Sequence, residues 1–223
     1  MSLPPILVRP LRQVGYEAAL DAMRDFTAHR DPQTPDEIWL VSHPPVFTLG
    51  LAGRTTHLRD VGTIPVVNTE RGGQVTYHGP GQVVGYTLID LHRRGLKVRD
   101  TVCRLEAALI DCLSGYGLTG LRKAGAPGVY LPGPDGLPGA KIAALGLKVS
   151  RGCSYHGVAL NVDMDLSPFS RIDPCGYPGL AVTDIHHAWT SVERTAGDAP
   201  PAFTAVAERL GHCLLDQLSR SSS

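Results

Sequence analysis

One stretch constrains this chain more than any other: Arg71-Gly72-Gly73-Gln74-Val75-Thr76-Tyr77-His78-Gly79-Pro80-Gly81-Gln82, which runs directly into Val83-Val84-Gly85-Tyr86-Thr87-Leu88-Ile89-Asp90-Leu91. The first half is too rich in glycine and polar side chains for a core. The second is an apolar, β-branched run that reads as a buried strand. Glycine lets a backbone take positive φ and approach a ligand closely. Here glycines and a proline surround an arginine, a tyrosine and a histidine at the edge of a rigid element, which is how a ligand-binding loop is built. A Gly/Pro hairpin whose histidine points to solvent has the same local composition, so other residues must decide between the two readings.

A chain of 223 residues can bury a substantial core as one large domain or two small ones. No internal repeat and no long linker divides it, so the expected organisation is one domain over residues 1–218 and a frayed tail over 219–223. The formal net charge is zero, leaving no global field to attract nucleic acid or an anionic membrane. No run of about 18 apolar residues is present to span a bilayer. The first residues, Met1-Ser2-Leu3-Pro4-Pro5-Ile6, lack the basic and apolar regions of a signal peptide, so the expected compartment is the cytoplasm.

Hydrophobic patterning sets out the elements. Ile6–Val8, Glu37–Val41, Ile64–Asn68, Val129–Leu131, Lys141–Val149 and Ser154–Val162 read as strands, and a short extended piece follows His43-Pro44-Pro45. Apolar residues recur at helical spacing from Tyr16 to His29, from an N-cap at Asp100 to glycines 115 and 117, and from Phe203 to Leu218. Residues 51–63 read as a surface loop, Leu166–Phe169 as a short helix, and Thr183–Trp189 is ambiguous. The fold class expected is α/β of the α+β kind: a mixed or antiparallel sheet with three main helices packed on it.

The five cysteines form no CxxC pair, so they point to neither a disulfide framework nor a zinc site. Cys112 falls on the buried stripe of its helix, Cys213 beside another stripe, and Cys103 is unassigned. Cys175 differs. Proline before it and glycine after it place it in a turn, where a thiol can react. Lys141 stands at the head of an otherwise apolar strand, a position where lysine is unusual unless its amine reaches solvent or is used. An amine in a half-buried pocket can take up a proton and then hold a thiolate. An ion pair at about 4 Å and an effective dielectric of 20 is worth roughly 4 kcal/mol, against about 1.4 kcal/mol per pKa unit, so such a dyad suffices for nucleophilic catalysis. The sequence alone does not bring the two residues together.

Taken in order, Arg71 to Gln82, Lys141-Ile142-Ala143-Ala144-Leu145-Gly146, Arg151-Gly152-Cys153-Ser154-Tyr155-His156-Gly157, Asn161-Val162 and Pro174-Cys175-Gly176 resemble the signatures of the lipoyl(octanoyl) transferases, as does His43-Pro44-Pro45-Val46-Phe47-Thr48. The likeness runs from about Leu7 to about Leu218. It implies a catalytic module like that of biotin and lipoate ligases, and transfer of an octanoyl group from octanoyl-acyl carrier protein to a lysine of lipoyl domains. The acceptors implied are the E2 subunits of 2-oxoacid dehydrogenases and the glycine cleavage H protein, with no cofactor, no metal, no nucleic acid and no membrane. Cys175 matches the acyl-thioester nucleophile and Lys141 its proton-carrying partner. Arg71, Gly72, Gly73, Gln74, Val75, Thr76, Tyr77, His78, Ala144, Leu145, Gly146, Gly157, Val158 and Ala159 match the walls of the acyl site. Asp173 departs from the asparagine expected there, and a carboxylate two residues from the thiol is expected to oppose the thiolate slightly.

Three readings follow. The first is an acyltransferase with a covalent Cys175 intermediate, its oxyanion held by backbone N–H groups near Cys175 or by His78. The second is an ATP-dependent lipoate or biotin ligase on the same scaffold, which needs no cysteine. The third is a non-catalytic acyl-binding module. His78, His156, His186 and His187 lack the short spacing of a metal site. The connector Arg93, Arg94, Lys97 and Arg99 could dock an acidic carrier protein or form a solvated loop.

Overall fold

The computed structural model describes residues 3–190 and 198–220. Six strands form the main sheet: β1 (Ile6–Gln13), β2 (Asp36–Ser42), β6 (Gln82–Leu88), β9 (Cys153–Asn161), β8 (Pro138–Ser150) and β7 (Gly128–Pro132), in that spatial order. The β1–β2 pair is parallel and the others are antiparallel, so the sheet is mixed, as expected. A second sheet of β4 (Val66–Asn68), β3 (Val46–Leu49) and β5 (Val75–His78) lies beside it. Part of the stretch read as a loop is therefore a strand. Val75–His78 pairs antiparallel with Val46–Leu49, and Arg71–Gln74 and the turn at Gly79–Gly81 are irregular.

The three long helices form where periodicity places them: α1 (Tyr16–Ala28), α2 (Val98–Ser114) and α4 (Phe203–Ser219), with a short α3 (Ile185–Thr190) in the ambiguous segment. Asp100 is not the N-cap of α2. It sits at the third helical position, where its carboxylate accepts the Lys97 N–H at 3.3 Å. α4 continues through Ser219, and residues 221–223 of the expected tail lie outside the described residues.

The core has three parts. α2 and α4 bury Leu105, Leu109, Leu210 and Leu214 against Ile38, Val83, Leu160 and Ile142. α1 covers Trp39, Val84, Tyr86 and Ala159 through Tyr16, Leu20 and Met23. The small sheet packs Phe47 and Tyr77 against Phe169 and Ile172. Leu109 is fully buried, and its truncation to alanine would cost about 2–5 kcal/mol.

Candidate active site

Lys141 lies on β8 opposite β7, and an irregularity in that pairing aims it. Val129 faces Ala143 and Tyr130 faces Lys141, so β8 advances two residues where β7 advances one. The extra residue, Ile142, puts both itself and Ala143 into the helix-covered core and brings Lys141 to the same cavity as Ala144. A bulge re-aims a side chain in this way. The lysine is 4% exposed. Its Nζ donates to Pro127 O at 2.9 Å and lies 5.2 Å from the centre of the Tyr130 ring. Gly128 makes room for the stem: with φ at +130°, its missing Cβ would stand 2.6 Å from Lys141 Cε.

Cys175 occupies a 3-10 turn, Pro174–Gly176, with φ +57° and ψ 18°. The left-handed region is strained for a residue with a Cβ and persists only where the surroundings impose it. They do so here. Gly176 N–H bonds to Asp173 O at 2.8 Å, Tyr177 N–H to Pro174 O at 3.1 Å, and Asp173 N–H to His57 O at 2.9 Å. The chain then returns along β8, where Lys141 N–H bonds to Ala181 O and Thr183 N–H to Lys141 O at 2.8 and 3.0 Å. Two residues 34 positions apart thus meet, with Lys141 Nζ 3.1 Å from Cys175 Sγ.

Asp173 does not act as an uncompensated charge beside the thiol. Its carboxylate pairs with His57 at 3.2 Å and with Arg59. The hydrogen bond from His57 and, after it, the Arg59 guanidinium hold its carboxyl below the usual range. The expected opposition to a thiolate is therefore offset by the Arg59 guanidinium and the hydrogen bond from His57.

The glycine-rich segment forms one wall. Gly72 N–H bonds to Leu147 O at 2.8 Å, pinning it to β8. Arg71 is buried and bonds to neutral acceptors: Thr48 O and Thr48 Oγ1 at 2.8 Å, Gln74 O at 2.9 Å and Gly72 O at 3.0 Å. On the facing sheet Ala144 is paired with Ala159 and Gly146 with Gly157. Two rungs of small residues leave a trough where larger side chains would close the space. The result is a cavity of about 380 Å³ that reaches both Lys141 and Cys175.

Every residue read from sequence as a wall lines this cavity except Tyr77. Alternation along β5 turns Thr76 and His78 one way and Tyr77 the other, where it packs on Phe47 and Phe169. Sequence reasoning missed Tyr16, Tyr86, Val98 and Val102, which also line the cavity. Tyr16 and Val102 fall on amphipathic helical stretches and Tyr86 on an apolar strand, patterns that do not tell a cavity from a core, and Val98 lies in the basic connector, where no pattern marks it.

The four histidines singled out from the sequence are each held by a neighbouring side chain. His78 Nδ1 meets Gln82 Oε1 at 2.7 Å and its ring stacks on Tyr16. Burial pushes its pKa down to about 3, and does the same to His156, so both rings are neutral. His186 and His187 pair separately with Asp163 and Asp184. Among the described residues no group of three His, Cys, Asp or Glu could hold a metal ion. Arg93 and Arg94 are not free to dock a carrier. With Arg30 they converge on the fully buried Asp36, leaving Lys97 and Arg99 as the exposed cations of that connector.

The family model of the lipoyl protein ligase A/B catalytic domain matches residues 15–196. The chain belongs to this family. Lipoyl protein ligase A/B relatives among curated proteins include an octanoyltransferase of Aromatoleum aromaticum, 64% identical over 79% of this chain and 74% of that one. Others are octanoyltransferases of Paraburkholderia phytofirmans, 59% identical over 87% and 84% of the two chains, and of Ectopseudomonas mendocina, 51% identical over 97% and 98%. The fold is similar to that of lipoate-protein ligase A bound with ATP, with a TM-score of 0.71 at 13% identity over 99% of this chain and 89% of the other. It is also similar to biotin protein ligase from Aquifex aeolicus, with a TM-score of 0.55 at 8% identity over 96% and 70%. The α+β architecture expected from the sequence is that of the lipoyl protein ligase A/B family.

Proposed function

We propose that this chain transfers an octanoyl group by double displacement through a thioester on Cys175. The observation that carries the reading is the 3.1 Å approach of the Lys141 amine to the Cys175 sulfur at a cavity of acyl-chain character. The octanoyltransferase names of relatives up to 64% identical supply the acyl group.

The Lys141 amine takes the thiol proton, and the thiolate attacks the carbonyl of octanoyl-acyl carrier protein. The carrier's sulfur leaves with the proton returned by Lys141, and octanoyl stays on Cys175. The amine of an acceptor lysine then attacks that thioester. An amide forms, the Cys175 sulfur leaves, and Lys141 moves the amine's proton to it. Thioester exchange is nearly isoenergetic and amide formation is downhill, so the cycle needs no ATP and no cofactor. One structural relative was solved as a lipoate protein ligase with its E2 lipoyl domain. Lipoyl domains of 2-oxoacid dehydrogenase E2 subunits and the glycine cleavage H protein are the acceptors proposed here, in the cytoplasm. Among the described residues no helix is long and apolar enough to cross a membrane.

The test is mass spectrometry after incubation with octanoyl-acyl carrier protein and no ATP. An octanoyl adduct that hydroxylamine removes, and that Cys175→Ala lacks, is expected. Strict dependence on ATP would overturn the transferase in favour of a ligase. Undiminished performance by Cys175→Ala would leave only an acyl-binding module.

A further inference from the structure

Both half-reactions of the proposed cycle pass through a tetrahedral carbon on Cys175 whose oxygen carries negative charge. Such an oxyanion needs preorganised donors. Most groups around the thiol are already committed. The N–H groups of Gly176 and Tyr177 bond to Asp173 O and Pro174 O within the turn. His78 spends Nδ1 on Gln82, and burial keeps its ring neutral. Lys141 donates to Pro127 O and to the sulfur, and it carries the proton.

Gln74 is placed differently. Its backbone is pinned from two sides, its carbonyl accepting Arg71 Nη2 at 2.9 Å and Gly50 N–H at 3.1 Å. Its side chain reaches across to the turn that bears the nucleophile. A Cβ on Gly176 would stand 3.1 Å from Gln74 Cγ, 3.3 Å from Cδ and 3.5 Å from Nε2. Gly176, at φ +77°, therefore leaves the space that the amide fills. The amide has no partner among the described residues, and its Oε1 is buried. Burying an unpaired amide is costly, so an amide held unpaired against a reactive group is a poised one.

We infer that the side-chain amide of Gln74 is the oxyanion donor for the acyl carbonyl on Cys175. A half-turn about Cγ–Cδ presents its NH2 to the oxygen, and one rigid backbone serves acylation and deacylation alike. A neutral donor suits an oxygen that is uncharged in the bound thioester and anionic in the intermediate, because it favours the second over the first.

The inference rests on the acyl-enzyme reading and is tested beside it, using the full chain. Octanoyl-enzyme formation from octanoyl-acyl carrier protein is compared with alkylation of Cys175 by iodoacetamide, a displacement at saturated carbon that forms no oxyanion. Gln74→Ala and Gln74→Met are each expected to lower the acylation rate constant about 10²–10³-fold. The alkylation rate should stay within about twofold of the parent. Gln74→Met keeps the length of the side chain without a donor or a charge and gives the readout if Gln74→Ala fails to fold. Acylation within threefold of the parent in both variants would overturn the assignment. So would a parallel fall in alkylation, which would mean that Gln74 only shapes the turn. Failure of the parent protein to form an octanoyl-enzyme would instead strike down the acyl-enzyme reading itself.

Discussion

Gly128 touches no substrate, yet its replacement by alanine should disable transfer through Lys141. The new Cβ would stand 2.5 Å from Ala143 O, 2.6 Å from Lys141 Cε and 3.1 Å from Lys141 Nζ. The Ala143 carbonyl belongs to the sheet and cannot retreat far; the lysine stem can. Ordinary contact begins at 3.4 Å, so Cε must withdraw by about 0.8 Å and take the amine with it. A misplacement of about 1 Å in a catalytic group costs on the order of 10²-fold, or about 2.7 kcal/mol of barrier. The backbone adds its own cost of about 1–3 kcal/mol in stability, because φ +130° suits only glycine. The assay is octanoyl-enzyme formation without ATP for Gly128→Ala, Lys141→Ala and the double variant, with denaturant unfolding in parallel. Lys141→Ala is expected to lose about 10²–10⁴-fold. The double variant should lose no more than that, since the glycine acts through the lysine. Parental transfer by Gly128→Ala would refute the reasoning. A loss that multiplied in full with that of Lys141→Ala would refute it equally.

Asp36→Ala should destabilise the fold by about 3–5 kcal/mol, because it strands the charges of Arg30, Arg93 and Arg94 around a fully buried site; unfolding in urea checks this. Acid should weaken the protein through His78 and His156. Each takes a proton near pH 6.5 when unfolded and only near pH 3 when folded, so their contribution is complete above about pH 6.5 and fades as pH falls toward 3. At pH 5 the loss is about 2 kcal/mol for each histidine, and equal stability at pH 7 and pH 5 would contradict it. Ala144→Leu fills the trough opposite Ala159 and should depress octanoyl transfer more than butanoyl transfer. At about 0.8 kcal/mol per buried methylene, displacing two of them costs octanoyl roughly 15-fold in kcat/KM, and an equal fall for both chains would count against a chain lying there.

The helices and the strands of the main sheet were legible because periodicity is a local signal. Leu105, Leu109 and Cys112 declare a buried face whatever lies opposite, and that face is buried. The separation of Val75–His78 into a second sheet was not legible, since its partner Val46–Leu49 is distant in the chain and pairing leaves no local mark. The Pro-Cys-Gly turn was visible, but its left-handed backbone was not. Nor were the ion pairs that turn Arg93 and Arg94 inward to Asp36, because charge along a sequence does not reveal what it faces. The motifs named the residues of the cavity; only the register of β8 explains how Lys141 enters it.

That register has an engineering consequence. The hairpin tip between Pro132 and Pro138 is open to insertion, but the spacing between Lys141 and Ala144 is not. Flattening the bulge with every residue kept would restore strict two-residue alternation and swing the lysine stem through the sheet, away from the thiol. Chimaeras assembled from related sequences should therefore exchange β7 and β8 as one cassette, from Gly128 to Ala144, since the bulge in their pairing decides on which side of the sheet the amine emerges.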